Sequence, residues 1–186
     1  MPFDAYQALW LLFIAVWMLA ALTSKRTVRR QTSTSWIIQA ALSGVGFLLL
    51  LQPWRLEAVD VRFVPATLAL TFCGVALTAA GIGFAIWARF TLGRNWSGTV
   101  TLKQDHELIR HGPYRIVRHP IYSGMLLAML GTAIGYGKVP CLIGVAMVFL
   151  GFWIKWRIEE QFMIEQFGAQ YIQYRREVKA VIPGVL

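Results

Sequence analysis

The sequence predicts an all-α fold: a polytopic membrane protein with five transmembrane helices and a polar C-terminal pocket on the cytosolic side. The first observation is compositional. Of 186 residues, 57% are hydrophobic and 15% charged, with a mean hydropathy of +0.55, well above an ordinary globular balance. The second is that the charges are clumped. Uncharged runs of 20, 24 and 26 residues separate Asp4 from Lys25, Arg30 from Arg55 and Arg62 from Arg89. Two shorter runs, of 19 and 16, separate Arg118 from Lys138 and Lys138 from Lys155. A helix needs about 20 apolar residues to cross the hydrocarbon core, so three runs qualify outright and the last two form a tight hairpin. The third is where the basic residues fall. Lys25, Arg26, Arg29 and Arg30 follow the first run, and Arg89, Arg94, Lys103, Arg110, Arg115 and Arg118 follow the third. The alternate loops are nearly neutral, which is the positive-inside pattern. It places the N-terminus outside and both basic loops in the cytoplasm. A secreted disulfide scaffold, a disordered chain and a small water-soluble core are excluded. The net charge of +9 serves topology and anionic headgroups rather than nucleic acid.

Helix 1 is expected over Ala5–Leu22; a basic cluster after it, and none before, is the wrong polarity for a signal peptide. Thr/Ser-rich residues 32–35 lead into helix 2 at Trp36, which Gln52-Pro53 ends. Pro65 lies near the start of helix 3, where the first-turn amides lack helical partners. Gly74, Gly81 and Gly83 in helix 3 suit close helix packing in lipid. Cys73 and Cys141 have no metal-like spacing and read as two small buried thiols. Pro120 opens helix 4, which fades at Gly135-Tyr136-Gly137, and Pro140 starts helix 5. From about Lys155 the chain turns amphipathic and leaves the bilayer, with a break near Gly168. The natural division is a three-helix membrane region over 1–90 and a C-terminal region over 91–186.

Residues 91–119 are polar and hold His106, His111 and His119. A hairpin of helices 4 and 5 brings this segment beside the start of the cytosolic tail, although His119 and Lys155 are 36 residues apart. One composite site built from 99–124 and 153–160 follows. His119 caps the helix opened by Pro120, with Tyr122 one turn on; a helix N-terminus presents unpaired amides and partial positive charge. Across from it, Lys155 and Glu159 share a helix face, and Glu159-Glu160 stand at the end of a membrane span, where charges usually face a polar cavity. The two carboxylates point about 100° apart on the helix. Glu159 is expected to line the site and Glu160 to face solvent or a basic neighbour. Phe149, Phe152, Trp153 and Trp156 are placed to line a lateral entrance or to form an interfacial belt.

The ordered set GRNWSG (93–98), His106-Glu107-Leu108-Ile109, GPYRIVRHPIYSG (112–124), EE (159–160), FG (167–168) and YIQYRR (171–176) resembles the isoprenylcysteine carboxyl methyltransferase family. More broadly it is similar to the membrane phospholipid methyltransferases. The resemblance covers Gly93 to Pro183. It implies a methyltransferase that takes S-adenosylmethionine into a cytosolic C-terminal cofactor pocket and acts on a lipophilic or prenylated acceptor reached from the lipid bilayer. Carried over by position, the cofactor contacts are His106, Leu108, Ile109, Tyr114, His119, Pro120, Tyr122 and Glu159, with no metal. The candidate catalytic cations are Lys155, Arg157 and Arg118. The family holds its acceptor carboxylate with a basic residue one turn before the Glu, here Lys155; Arg157 is the substitute candidate. Two features depart from the family's pattern. A cofactor-site Gln has no counterpart near Thr99 or Thr101, and an extended acidic run is reduced to Glu159-Glu160. A sulfonium and an ammonium suit Glu159 and the π-faces of Tyr114 or Tyr122, and the helix start at Pro120 suits a carboxylate. An acceptor carboxylate is already ionised at neutral pH and needs no general base. The rival enzyme readings are a phospholipid N-methyltransferase and an NADPH-dependent membrane reductase of the sterol-reductase type. A non-catalytic membrane module is the rival from another class.

Overall fold

The computed structural model describes residues 5–21, 27–30, 32–51, 61–93, 101–103 and 108–186. Six α-helices are formed among the described residues: α1 (Ala5–Ala21), α2 (Ser33–Leu51), α3 (Leu68–Leu92), α4 (Pro120–Tyr136), α5 (Val139–Phe167) and α6 (Ala169–Glu177). Helices α2, α3 and α5 are long and apolar enough to cross a membrane; α1 and α4 are apolar but shorter, at 17 residues each. At 1.5 Å per residue such a helix spans about 25 Å, the low end of what a bilayer needs. The proline signals hold: Pro120 and Pro140 both sit in the first turns of their helices. Gly168 closes α5 with a φ of 51°, a left-handed value that favours a residue without Cβ. Helix α5 therefore runs past Lys155 without interruption and bends at the expected break.

The helices are joined by close contacts of small residues. A Cβ added at Gly124 would lie 2.6 Å from the Ala85 nitrogen and the Gly81 carbonyl oxygen; one at Gly131 would lie 2.6 Å from the Thr78 nitrogen. The α3 and α4 backbones thus touch, antiparallel, over the length of α4. Gly46 and Gly144 do the same for α2 and α5. Gly74 and Gly81 serve this contact as expected, whereas Gly83 meets nothing within 4 Å and faces outward. In lipid, where no water drives helices together, such contact and interhelical hydrogen bonds carry association. Those bonds are also present. Thr132 Oγ1 accepts from Trp10 Nε1 at 3.1 Å and lies 3.1 Å from Thr78 Oγ1, fastening α1, α3 and α4 at a fully buried point.

The loops are fastened at both ends of the bundle. Thr27–Arg30 (β1) pairs antiparallel with Thr101–Lys103 (β2), with a register irregularity between Thr27 and Arg29. This small ribbon ties two loops of an all-helical fold. Two extended loops leaving the same end of a bundle can satisfy each other's backbone groups, a pairing that hydropathy does not encode. At the other end, Phe63 N donates to Gly137 O at 3.0 Å and Val139 N to Val61 O at 2.9 Å.

Two further expectations need correction. Arg89, counted from the sequence among the loop cations, is buried within α3, donating to the Gly93 carbonyl at 2.7 Å and to the Ala20 carbonyl. It ties the ends of α1 and α3 together, because helix C-termini offer carbonyls without intrahelical partners. Cys141 is buried, but Cys73 is exposed on the outer side of α3.

Candidate functional site

The site begins with a proline. Pro120 stands first in α4, so His119 becomes the N-cap, yet its side chain makes no capping bond. The imidazole turns instead toward the far end of α5. Its Nδ1 lies 3.5 Å from Glu159 Oε2 and its Nε2 lies 3.3 Å from Glu160 Oε1. One turn along α4, Tyr122 OH donates to Glu159 Oε1 at 2.7 Å. The start of α4 and the end of α5 therefore meet, as the hairpin requires.

Rings build the wall beside the carboxylates. His119 stacks on Tyr122 at 5.5 Å between centroids and on Trp156 at 6.2 Å; Tyr122 stacks on Phe152 at 4.7 Å. These separations are those of offset aromatic pairs. The ammonium of Lys155 lies 5.6 Å from the centroid of the Tyr122 ring, within cation–π range. Phe152 and Trp156 thus line this corner, while Trp153 is exposed.

The adjacent carboxylates have different surroundings. Glu160 does meet basic neighbours, but it is the more buried of the two: its side chain is 7% exposed against 24% for Glu159. Glu160 Oε1 accepts from Arg118 Nε at 2.9 Å and Nη2 at 2.6 Å, and Arg175 Nε lies 3.3 Å from Oε2. Arg118 also donates through Nη1 to the carbonyls of Arg175, at 3.3 Å, and of Val178. Its guanidinium is committed to a fork on Glu160 and to the end of α6, which makes Arg118 a brace. The candidate cation Arg157 is exposed, and no contact joins it to this corner among the described residues. Burial selects Lys155 of the two α5 cations.

Tyr114 lies in a short 3-10 helix, Gly112–Arg115, with its ring buried under the end of α3. Burial and the nearby Glu159 charge push its phenol well up, so it stays protonated at neutral pH. Burial likewise raises Tyr171, and it pushes Tyr174 up to about 12. These rings are hydrogen-bond donors and π-surfaces, not bases. Leu108 and Ile109 are half-buried, Ile109 against the core. His106 lies outside the described residues.

Part of the site escaped sequence reasoning altogether. Arg118 N donates to Lys179 O and His119 N to Ala180 O, both at 2.8 Å, and Ser123 Oγ donates to Val181 O at 2.6 Å. Residues 179–181 therefore run along the His119 corner and fix it. Backbone carbonyls do this work, so side-chain identity at 179–181 leaves no signal. Arg175 had one, the Arg pair in YIQYRR, but its partner Glu160 is 15 positions away.

Chemically, the corner offers a part-exposed carboxylate, Glu159, flanked by aromatic faces and by one ammonium. That donor set suits a cationic ligand with a neighbouring anion. No group of three or more His, Cys, Asp or Glu suited to a metal occurs among the described residues.

The family model for phospholipid methyltransferases matches residues 69–170, spanning α3, α4, α5 and the start of α6. A probable protein-S-isoprenylcysteine O-methyltransferase from Oryza sativa subsp. indica is 29% identical over 62% of this chain and 62% of its own length. The protein-S-isoprenylcysteine O-methyltransferase of Saccharomyces cerevisiae is 32% identical over 68% of this chain and 55% of its own. A solved structure of a eukaryotic intramembrane Ras methyltransferase, isoprenylcysteine carboxyl methyltransferase, superposes with a TM-score of 0.64 at 25% identity. It covers 97% of this chain and 65% of that one. The chain spans about three fifths of the length of these relatives.

Proposed function

Because the chain belongs to the phospholipid methyltransferase family, we propose that it is an integral-membrane enzyme that uses S-adenosylmethionine to methylate the carboxylate of a lipophilic, isoprenylcysteine-like acceptor. The observation that carries this reading is the Glu159 carboxylate, 24% exposed, set among the rings of His119, Tyr122 and Trp156. Relatives named for isoprenylcysteine O-methylation support the acceptor class.

The residues fit the methyl donor's charge. When bound, S-adenosylmethionine supplies an electrophilic methyl group on a sulfonium. Glu159 balances cationic charge, held in place by the Tyr122 hydroxyl within an aromatic cluster of His119, Tyr122 and Trp156. His106, Leu108, Ile109, Tyr114 and Pro120 complete the donor side. Lys155, poised over Tyr122, orients the acceptor carboxylate. That carboxylate is ionised at neutral pH, so no side chain has to take a proton from it. The protein contributes alignment of the two reactants and exclusion of water from the nucleophile. The part-exposed Glu159 carboxylate disfavours a phosphate-rich dinucleotide, which weighs against a reductase.

The exposed cations Arg115, Arg157, Arg176 and Lys179 lie toward the same end of the bundle as the corner, and this supports a cytosolic site. In this reading α1 and α4 cross as short spans beside the three longer helices, giving five crossings with the N-terminus outside. Residues 1–90 form the membrane scaffold and 91–186 the catalytic region. The acceptor's apolar tail enters laterally from the bilayer.

The test is methyl transfer by the full chain in liposomes, from S-adenosylmethionine with a tritiated methyl group. Synthetic S-farnesylcysteine is expected to gain a base-labile methyl ester. Label in phosphatidylethanolamine would instead assign lipid N-methylation, and label in neither would refute the reading. Losing one charge-assisted contact, Lys155→Ala is expected to raise the KM for S-farnesylcysteine about tenfold while donor affinity changes less than about twofold. An unchanged acceptor KM would remove Lys155 from this role.

A further inference from the structure

We propose that Arg175, on α6, is a positioning residue that acts through Glu160 to set the donor-binding face of His119. This rests on the donor site proposed above.

Glu160 is not available to a ligand. Its Oε1 already receives both Arg118 donors and faces His119 Nε2 at 3.3 Å, and its Oε2 faces Arg175 at 3.3 Å. Oε1 is crowded by three partners, and the Glu160 side chain is 7% exposed, which leaves little room for a ligand. Its remaining consequence is geometric. The direction of Oε1 fixes the tilt of the His119 ring, and that ring stacks on both Tyr122 and Trp156. Arg175 holds the second oxygen and so stops the carboxylate from rotating about its own axis.

Arg175 is the adjustable member of this set. Arg118 is braced by four contacts and its side chain is 9% exposed, whereas the Arg175 side chain is 43% exposed and reaches Glu160 from a separate helix. Removing it leaves the Arg118–Glu160 fork intact and the charge of Glu160 still compensated. The bundle should therefore survive the loss, while the orientation of His119 should not. The neighbouring Arg176 is exposed and makes no contact with the corner among the described residues, so it is the natural control.

The experiment measures the Kd of S-adenosylmethionine by equilibrium binding to the full chain in detergent, per mole of folded protein, together with kcat at saturating donor. Arg175→Ala is expected to raise the donor Kd about tenfold while changing kcat less than about twofold, because small misplacements of a binding face are costly. Arg175→Lys, which keeps the charge but not the planar donor, is expected to recover most of the affinity, and Arg176→Ala to match the wild type. An unchanged Kd in Arg175→Ala refutes the proposal, as does a lysine variant no better than alanine. A loss confined to the yield of folded protein refutes it too. If the wild type binds no S-adenosylmethionine, the proposed function itself fails and this inference falls with it.

Discussion

Replacing Glu159 by glutamine is expected to weaken S-adenosylmethionine binding on the order of 50-fold, the value of one charge-assisted contact in a partly buried site. The substitution keeps shape and keeps an oxygen to accept the Tyr122 hydroxyl, now 2.7 Å from Oε1. The negative charge is removed, and the oxygen that faces His119 Nδ1 at 3.5 Å becomes an amide nitrogen. Folding should hardly change, because Glu159 is the more exposed of the two carboxylates and the ion pairs to Arg118 and Arg175 belong to Glu160. Equilibrium binding to the purified chain, beside a thermal melt of the same sample, checks both parts. Unchanged affinity would take the donor's positive charge away from Glu159.

The largest effect on stability is expected from Gly81→Val. A Cβ at position 81 would lie 2.5 Å from the Gly124 carbonyl oxygen, and the obstruction is backbone, which cannot step aside as a flexible side chain can. Overpacking of a tight contact costs about 1–3 kcal/mol and occasionally more. Here it also prises apart α3 and α4, so the His119 corner loses its support. Gly83→Val, two residues on, meets nothing within 4 Å and serves as the control. Thermal unfolding in detergent should show Gly81→Val far below the wild type and Gly83→Val close to it. Equal melting temperatures would mean that the α3–α4 contact does not hold the bundle.

These two expectations rest on different kinds of legibility. Helix boundaries followed from proline, glycine and uncharged run length, because lipid imposes those directly on composition. The meeting of His119 with Glu159 also followed, since a hairpin constrains its ends whatever the side chains are. The functions of individual charges were harder to read. Arg89 looks like a loop cation in sequence, yet it caps the end of α1 from inside α3. Glu160 meets a basic neighbour, one of the two surroundings expected for it, but its burial was not legible, because a helical wheel gives the angle between two side chains and not which neighbours wait there. Those neighbours are Arg118, just before α4, and Arg175 of α6, and residues 178–181 hold the same corner through backbone carbonyls. The β1–β2 ribbon was invisible for the same reason.

The meeting point of α4 and α5 is probed most directly by ultraviolet crosslinking of radiolabelled S-adenosylmethionine to the intact protein in detergent, followed by mapping of the labelled peptides. Adducts are expected on segments 108–124 and 149–160, suppressed by excess unlabelled donor and absent in Glu159→Gln. Competable label on the 61–67 segment instead, at the opposite end of the bundle beside Gly137, would contradict a donor site built from the His119 corner and Glu159.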